Sequence, residues 1–324
     1  MENKIMCADA LNGLRSLPDG CVSMCVTSPP YYGLRDYGID GQIGTEQSPA
    51  EYIARLVAVF HEVHRVMKEN GTLWVNIADS YAGSGKGISK RPVAEQRPDK
   101  QIYLREADGI PSDMPHVWDG IKPKDLIGIP WMLAFALRSD GWYLRSDIIW
   151  NKINCLPESV RDRPTKSYEH LFLLSKSNRY YYDAEAIKEP ITETSRERYK
   201  RGRSDKNKYG VGFGDRGING SDYNEKMNGH TMRNKRDIWN ISTNSYRMEG
   251  HFAMFPEKLV EPCILAGSKK GDIILDPFFG SGTTGAVAKR LGRGFIGIDL
   301  NPEYCRKAEE RINGTVSEST GSKL

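Results

Sequence analysis

The residues best suited to chemistry in the first part of the chain are Ser28, Pro29, Pro30 and Tyr31. They follow a short apolar run, residues 21–26, that predicts a buried strand. Because proline has no amide hydrogen and a fixed φ, the strand must end at Ser28 and a rigid turn must follow. The turn presents a hydroxyl, a carbonyl and an aromatic ring at the place where open α/β sheets carry their reactive groups. Taken alone, the stretch fits a proline-rich surface loop equally well.

A second candidate site lies in a glycine-rich loop between a predicted strand and a predicted helix. Within residues 272–291, Gly280, Gly282 and Gly285 form the pattern G-x-G-x-x-G, and Asp299 ends the next predicted strand. Glycines there let a ligand approach the backbone, and an acid on the next strand accepts hydrogen bonds from ribose hydroxyls. The stretch predicts a nucleoside-bearing cofactor; the alternative is a glycine-rich connection that binds no ligand.

The residues before the glycines indicate which cofactor this is. Asp276 ends the predicted strand, and the bulky Phe278 and Phe279 follow it. A carboxylate at this point would repel the pyrophosphate of NAD but would hold a cationic amino group, while the helix amides beyond could take a carboxylate. A ligand with an ammonium, a carboxylate and a ribose is S-adenosylmethionine. Asp9, another acid at the end of a predicted strand, is available for the adenine amino group.

Positive charge is concentrated in one segment of the chain. The net charge is +4, whereas residues 188–236 hold 13 Lys/Arg and 7 Asp/Glu, about +6, so the remainder carries about −2. Glycines and aromatic residues alternate with these basic residues, which is typical of nucleic-acid binding. A solvated linker is the other interpretation. The candidate DNA-binding residues are Arg35, Arg161, Arg163, Lys166, Arg201 and Arg203.

Other features of the sequence argue against several classes of protein. No apolar run is long enough for a membrane span, and the first residues do not resemble a signal peptide. The six cysteines are scattered without a C-x-x-C pair, which favours reduced thiols in a cytoplasmic protein. His61 and His64 lack a third ligand, so no metal site is expected.

The two motifs together make the chain resemble the amino-group-directed DNA methyltransferases of the beta class. In that family an S/N/D-P-P-Y/F motif comes early and an F-x-G-x-G motif comes late, with a target-recognition region between them. Here Ser28–Tyr31 comes first and Phe279–Gly282 last. The resemblance also covers residues 71–76, 149–152 and 170–183 and the stretch Phe255-Pro256-x-x-Leu259. It leaves out residues 81–122 and most of 188–236.

The resemblance implies an α/β fold: a Rossmann-like, circularly permuted sheet with helices on both faces and an irregular target-recognition region. The implied parts are a catalytic part at 1–80 and 123–187, a loop insertion at 81–122, a target-recognition region at 188–250, a cofactor part at 251–315 and a disordered tail at 316–324.

The resemblance also assigns roles in the reaction. An exocyclic amino nitrogen is a poor nucleophile because its lone pair is conjugated into the ring. The Ser28 hydroxyl and the Pro29 carbonyl would accept both amino hydrogens and so localise that lone pair. Pro30 would keep the turn rigid, and Tyr31 would stack on a base flipped out of the duplex. The implied S-adenosylmethionine site comprises Asp9, Phe255, Asp276, Pro277, Phe278, Phe279, Gly280, Ser281, Gly282, Thr283, Thr284 and Asp299.

The target within double-stranded DNA is predicted to be the N4 amino group of cytosine, because serine at the first motif position is commoner among such enzymes. N6 of adenine is the alternative, and a non-catalytic nucleic-acid-binding protein is a remote one. A C5-cytosine mechanism would need Cys263, which we interpret as core packing. The resemblance also allows a cognate restriction endonuclease as partner system. The protein is expected to be a monomer or a homodimer.

The apolar pattern between the motifs predicts further elements. These are a helix over 49–68 stopped by Asn70-Gly71, a helix over 125–137, and a strand over 170–175 with Tyr180–Tyr182 as hairpin partner.

Overall fold

The computed structural model describes residues 3–34, 39–82, 120–201, 231–243 and 255–318. The chain divides into two units: Met1–Tyr182 together with Asp237–Leu324, and Asp183–Arg236. Most of the predicted 81–122 insertion, much of the basic segment and the predicted tail beyond residue 318 therefore lie outside the described residues.

The first unit is built on one eight-stranded sheet. Its strands are β1 (Lys4–Cys7), β2 (Val22–Thr27), β3 (Met67–Ile77), β4 (Tyr143–Asn151), β5 (Tyr168–Ser175), β8 (Ile238–Asn240), β9 (Ile273–Asp276) and β10 (Gly294–Asp299). Its helices are α1 (Ala10–Arg15), α2 (Pro49–Val66), α3 (Ile129–Ser139), α5 (Glu257–Gly267), α6 (Thr283–Arg290) and α7 (Pro302–Glu318).

The strand order is β1-β10-β9-β2-β3-β5-β4-β8. Strands β1, β10, β9, β2 and β3 run parallel, whereas β5 runs antiparallel to both β3 and β4. The predicted α/β class is confirmed. Because β2 and β9 are parallel neighbours, their carboxyl ends meet at one edge of the sheet. Each of these strands leads into one of the two motifs, so the sheet brings the motifs together.

The core includes Val22 and Cys25 of β2, a strand buried at every position, together with the apolar face of α2. Ser48 caps this helix by accepting from the Glu51 amide at 3.2 Å, and Pro49 occupies the first turn, where its missing N–H is harmless. Residues four apart, such as Tyr52 and Leu56, then fall on one buried face. This packing holds β2 and the turn after it in place.

The predicted stop of α2 at Asn70-Gly71 is wrong. Helix α2 ends at Val66, and Met67 is already paired with Val22 of β2. Gly71 lies within β3, where an added Cβ would come within 2.2 Å of the Met67 side chain. The glycine serves close packing inside the strand, which a sequence pattern cannot distinguish from a helix terminus.

Two other predicted elements also differ from the structure. Tyr180–Tyr182 forms no strand, because β5 already pairs with β3 on one edge and β4 on the other. Helix α3 begins at Ile129 rather than at residue 125, and its Pro130 lies in the first turn. The Asp79 carboxylate fixes that start by accepting from the amides of Gly128 and Ile129, each at 3.0 Å.

The second unit contains the two-residue strands β6 (Glu189–Pro190) and β7 (Met232–Arg233), which pair antiparallel, and helix α4 (Glu193–Arg201). Glu189 holds the pair by accepting from Arg233 and Arg236, each at 2.9 Å. The predicted irregular region thus includes a helix in its described part. Within the residues the structure describes, no helix combines the length and apolarity needed to cross a membrane.

Candidate active site

The turn after β2 is held by contacts with its own prolines and with α2. The Tyr52 hydroxyl donates to the Pro30 carbonyl at 2.7 Å. Across the ranges given above, no hydrogen bond is made to the Pro29 carbonyl, although Pro29 is buried. Gly44 lies against the turn with φ of +107°, and a Cβ there would come within 3.0 Å of the Tyr31 carbonyl. The turn is therefore fixed by its neighbours, and the role of the Pro29 carbonyl towards a substrate stays a prediction.

The Tyr31 hydroxyl lies in a polar cluster rather than in solvent. It is 2.5 Å from Glu169 Oε2, 3.2 Å from Asn76 Oδ1 and 3.4 Å from Ser28 Oγ. Burial, followed by the charge of Glu169, raises the pKa of the Tyr31 phenol well above its ordinary value. The phenol therefore stays protonated at neutral pH. The stacking role of the Tyr31 ring remains a prediction.

Glu169, Asn76 and Lys152 were not among the site residues predicted from the sequence, although Tyr31, which contacts Glu169, was. Glu169 lies in β5, is 6% exposed, and accepts from Asn76 Nδ2 at 3.0 Å and from the Lys152 ammonium. Lys152 follows β4, and Asn76 is near the end of β3. The available signal was a charged or amide residue within an otherwise apolar strand, at Glu169 and at Asn76, because such groups are buried only with partners.

The cofactor loop is closed by Asp299 at the end of β10. Gly280 and Gly282 have φ of +52° and +77°, so the loop adopts a conformation that side chains disfavour. Asp299 accepts from the Gly280 amide at 2.7 Å and from the Asn301 amide at 2.8 Å. Burial raises the pKa of Asp299. The acid and the glycines predicted from the sequence are thus brought together, and the ribose contact of Asp299 stays a prediction.

Asp276 joins the cofactor loop to the turn after β2. Its carboxylate is fully buried and accepts from the hydroxyls of Thr27 and Thr284, each at 2.6 Å, and from the Phe278 amide at 3.1 Å. Thr27 directly precedes Ser28, and Thr284 lies in the first turn of α6. The two motifs are therefore mechanically connected through one side chain.

The remaining cofactor candidates fall into loop and core positions. Arg311 of α7 donates to Thr283 Oγ1 at 3.0 Å and to the Ser281 carbonyl at 3.4 Å, which fixes the loop from outside. Phe279 is buried and stacks on Phe295, with the ring centroids 5.6 Å apart. Pro277 is buried, and Phe278 and Phe255 are partly buried. Their contacts with a cofactor stay predictions.

Asp9 is placed at the end of β1, as the sequence indicated. Its carboxylate caps α1 by accepting from the Asn12 amide at 3.1 Å. Its adenine contact stays a prediction.

Cys263 is the residue that the sequence suggested for a C5-type nucleophile. It is buried in α5 and donates to the Leu259 carbonyl at 3.1 Å. The interpretation of Cys263 as core packing agrees with this position.

The predicted DNA-binding residues that the structure describes have different surroundings. Arg161 is exposed, whereas Arg163 covers the Tyr81 ring at 4.0 Å and donates to Glu158 at 2.6 Å. Lys166 donates to the Asp79 carbonyl, and burial lowers its pKa. Arg35 and Arg203 lie outside the described residues, and Arg201 is the last residue of α4.

The buried Asp276 predicts a specific dependence of stability on pH. Burial raises the pKa of this carboxyl from its ordinary value of 3.8 to about 6, against the opposing hydrogen bonds from Thr27 and Thr284. Between pH 4 and 6 the folded protein therefore binds more protons here than the unfolded chain. Its free energy of unfolding should fall by about 3 kcal/mol over this window as the pH rises, and level off above pH 6.

Denaturant unfolding at a series of pH values, with the Asp276→Asn variant as comparison, tests this dependence. The amide does not titrate, so the difference in unfolding free energy between the two proteins should change between pH 4 and 6 and stay constant above. A constant difference throughout would show that the pKa of Asp276 is not raised. Using the difference removes the contribution of Asp299, whose pKa is raised as well.

Comparisons with known proteins identify the family of this chain. A family model described as DNA methylase matches residues 22–310. The type II methyltransferase M.Cfr9I of Citrobacter freundii is 48% identical over 306 residues, which cover 94% of this chain and 86% of that protein. The type II methyltransferase M.SmaI of Serratia marcescens is 45% identical over 309 residues, covering 95% and 90%.

Solved structures share the fold at lower identity. The PvuII DNA methyltransferase (cytosine-N4-specific) has a TM-score of 0.61 at 18% identity, covering 98% of this chain and 92% of that one. The TTHA0409 protein of Thermus thermophilus, solved with S-adenosylmethionine, has a TM-score of 0.57 at 21% identity, covering 98% and 95%. With two motifs joined at one sheet edge and a family match over most of its length, the chain belongs to the amino-directed N6/N4 DNA methyltransferase family.

Proposed function

We propose that this protein is a site-specific DNA methyltransferase that transfers a methyl group from S-adenosylmethionine to N4 of cytosine in a flipped-out base. The observation that carries the proposal is the hydrogen bond between Thr27 and Asp276. It places the turn that would hold the amino group directly beside the loop that would hold the methyl donor. Two sites that exchange a methyl group must be neighbours, since the reacting atoms approach to about 3–3.5 Å.

The methyl acceptor would be held by the turn after β2. The Pro29 carbonyl can accept one amino hydrogen, and the Ser28 hydroxyl, which is partly exposed, can accept the other. The backbone that carries both acceptors is fixed before the substrate arrives, because Tyr52 and the prolines hold it. Preorganised acceptors of this kind localise the nitrogen lone pair for attack and leave the amino group ready to lose a proton.

The cofactor loop fits S-adenosylmethionine by its chemistry. That molecule supplies an electrophilic methyl group on a sulfonium. The Asp276 carboxylate is assigned to its ammonium group, the backbone at Gly280 to its close approach, and Asp299 to its ribose. Gly282 packs against Ala308 of α7, which a Cβ would meet at 2.9 Å. The raised pKa of Asp276 supports this assignment, because a buried acid that ionises poorly gains most from a nearby cation.

The choice of cytosine rests on Ser28 as the first residue of the motif. The PvuII enzyme, whose name specifies cytosine N4, shares the fold of this chain. Adenine N6 remains the second candidate, because the same pair of acceptors can bind the amino group of either base. The relatives are named type II methyltransferases, and we extend their restriction–modification context to this chain together with a cognate endonuclease as partner system.

Identification of the methylated nucleoside tests the proposal. DNA is methylated with radiolabelled S-adenosylmethionine, digested to nucleosides and separated. We expect N4-methyldeoxycytidine as the labelled product. N6-methyldeoxyadenosine would show instead that the enzyme methylates N6 of adenine. Sequencing of methylated positions in DNA from expressing cells would provide the recognition sequence as well.

The basic segment predicts how DNA affinity depends on salt. Replacing Arg201 and Arg203 with alanine should weaken DNA binding and lower the slope of log K against log salt by about 2, because each lost phosphate contact removes about 0.9. The affinity for S-adenosylmethionine should not change. The matched control replaces Arg290 and Arg306, which pair with glutamates of the first unit. An equal effect of the control pair would show that the charge of the whole chain matters, not this segment.

A further inference from the structure

We propose that Glu169 is a positioning residue for methyl transfer: acting through the Tyr31 hydroxyl, it fixes the Ser28 hydroxyl as a hydrogen-bond acceptor for the target amino group. The inference rests on the proposed function and deepens it. It concerns the polar groups of Glu169, Asn76, Tyr31 and Ser28, of which only the Ser28 hydroxyl would bind the target amino group, while the Tyr31 ring keeps its predicted stacking role.

The first step concerns the hydrogen bonds that Glu169 accepts. Its side chain is buried at 8% exposure, and the Lys152 ammonium donates to Oε1. The Asn76 amide donates to Oε2 at 3.0 Å. A buried carboxylate held by a cation and an amide donor acts as an acceptor of hydrogen bonds.

The second step is the direction of the Tyr31 hydroxyl. A phenol has one hydrogen to donate, and it is shared between Glu169 Oε2 at 2.5 Å and Asn76 Oδ1 at 3.2 Å. The charged and nearer carboxylate binds it more strongly than the neutral amide oxygen. The hydrogen of Tyr31 therefore points to Glu169, which leaves its oxygen as an acceptor.

The third step is the direction of the Ser28 hydroxyl. Ser28 Oγ lies 3.4 Å from Tyr31 Oη and donates its hydrogen to that oxygen. Both lone pairs of Ser28 are then free to face the target. The hydrogen bonds then all point the same way: the target amino group donates to Ser28, Ser28 donates to Tyr31, and Tyr31 donates to Glu169. Each bond polarises the next. Without the carboxylate, Tyr31 could turn its hydrogen towards Ser28, and the serine hydrogen would then oppose the amino hydrogens.

A double-mutant cycle of Glu169→Gln and Tyr31→Phe tests this chain of bonds. The single-turnover rate of methyl transfer is measured with S-adenosylmethionine saturating, together with cofactor affinity and thermal stability. Each single variant should lower the rate by about 10- to 100-fold, less than the loss of a group that contacts the reacting atoms directly. The double variant should be no slower than the slower single, because both break the same relay. Cofactor affinity should stay within about twofold of the wild type, since none of these groups belongs to the cofactor loop.

The matched control is Tyr180→Phe, which removes an exposed phenol that accepts from Arg145 at 3.1 Å. It should leave the rate unchanged. Rates that multiply in the double variant, or a Glu169→Gln variant that loses stability but keeps its rate, would overturn the inference. If Glu169→Gln does not fold, a cycle of Tyr31→Phe with Ser28→Ala tests the same relay, because Tyr31→Phe should then add little to the loss at Ser28.

The activity of the wild-type protein distinguishes a failure of the proposed function from a failure of the role of Glu169. A wild-type protein that transfers no methyl group to DNA would refute the function, and the role of Glu169 with it. An active wild type with an unaffected Tyr31→Phe variant would refute only the role of Glu169.

Discussion

Replacing Ser28 with alanine should lower the single-turnover rate of methyl transfer by about 10²- to 10³-fold, the usual effect of removing one preorganised polar group from a reacting centre. The Ser28 hydroxyl would accept one of the two amino hydrogens, and only the Pro29 carbonyl remains in the variant. S-adenosylmethionine affinity should be unchanged, since the cofactor loop is untouched. Stability should change by less than about 1 kcal/mol, because Ser28 is partly exposed and its bond to Tyr31 is long.

Rapid-quench measurement of labelled methyl transfer gives this rate directly. Ser23→Ala is the matched control: it removes a serine from the other end of β2, where the hydroxyl donates to Asp272 at 2.7 Å and accepts from Lys68 at 2.9 Å. That variant should lose stability and keep its rate. A Ser28→Ala protein with the wild-type rate would remove Ser28 from the reaction.

The second large effect is expected at Asp276. Its replacement with alanine should destabilise the protein by about 2–4 kcal/mol, because two buried threonine hydroxyls and the Phe278 amide lose their acceptor. The loss of the carboxylate should also weaken S-adenosylmethionine binding. Denaturant unfolding and calorimetric titration measure the two effects independently.

Asp276→Asn separates the charge from the hydrogen bonds. The amide has the same shape, and the hydroxyls of Thr27 and Thr284 can rotate to donate or accept. The variant should therefore retain most of the stability that alanine loses, while cofactor affinity still falls if the charge holds the ammonium. Full cofactor affinity in the asparagine variant would mean that Asp276 acts on the fold alone.

The parts of the site that were predictable from the sequence are those whose geometry depends on residues close together in the chain. Consecutive prolines end a strand wherever they occur, so the turn at Ser28 could be placed without a structure. The glycines before α6 and the acid after β10 lie in one strand–loop–helix–strand unit, whose geometry is local. The fold class followed from the resemblance that both motifs carry to a known family.

The parts that were not predictable depend on strand pairing far along the chain. Glu169 meets Tyr31 across 138 positions because β5 pairs antiparallel with β3, placing residue Ile77 opposite His170. No local pattern sets that register. The error at Asn70-Gly71 has the same origin, since Met67 pairs with Val22 of β2 and a Cβ at Gly71 would come within 2.9 Å of the Ser23 carbonyl.

The bond between Thr27 and Asp276 spans 249 positions, and it has a consequence for the newly made chain. A ribosome adding about 5–20 residues per second needs on the order of 12–50 s to reach β9 after completing β2. During that time the turn at Ser28 exists without the neighbour that anchors it. The nascent protein should therefore be unable to modify DNA until β9 and α6 have been synthesised and have inserted beside β2, so that activity appears in a single late step of folding.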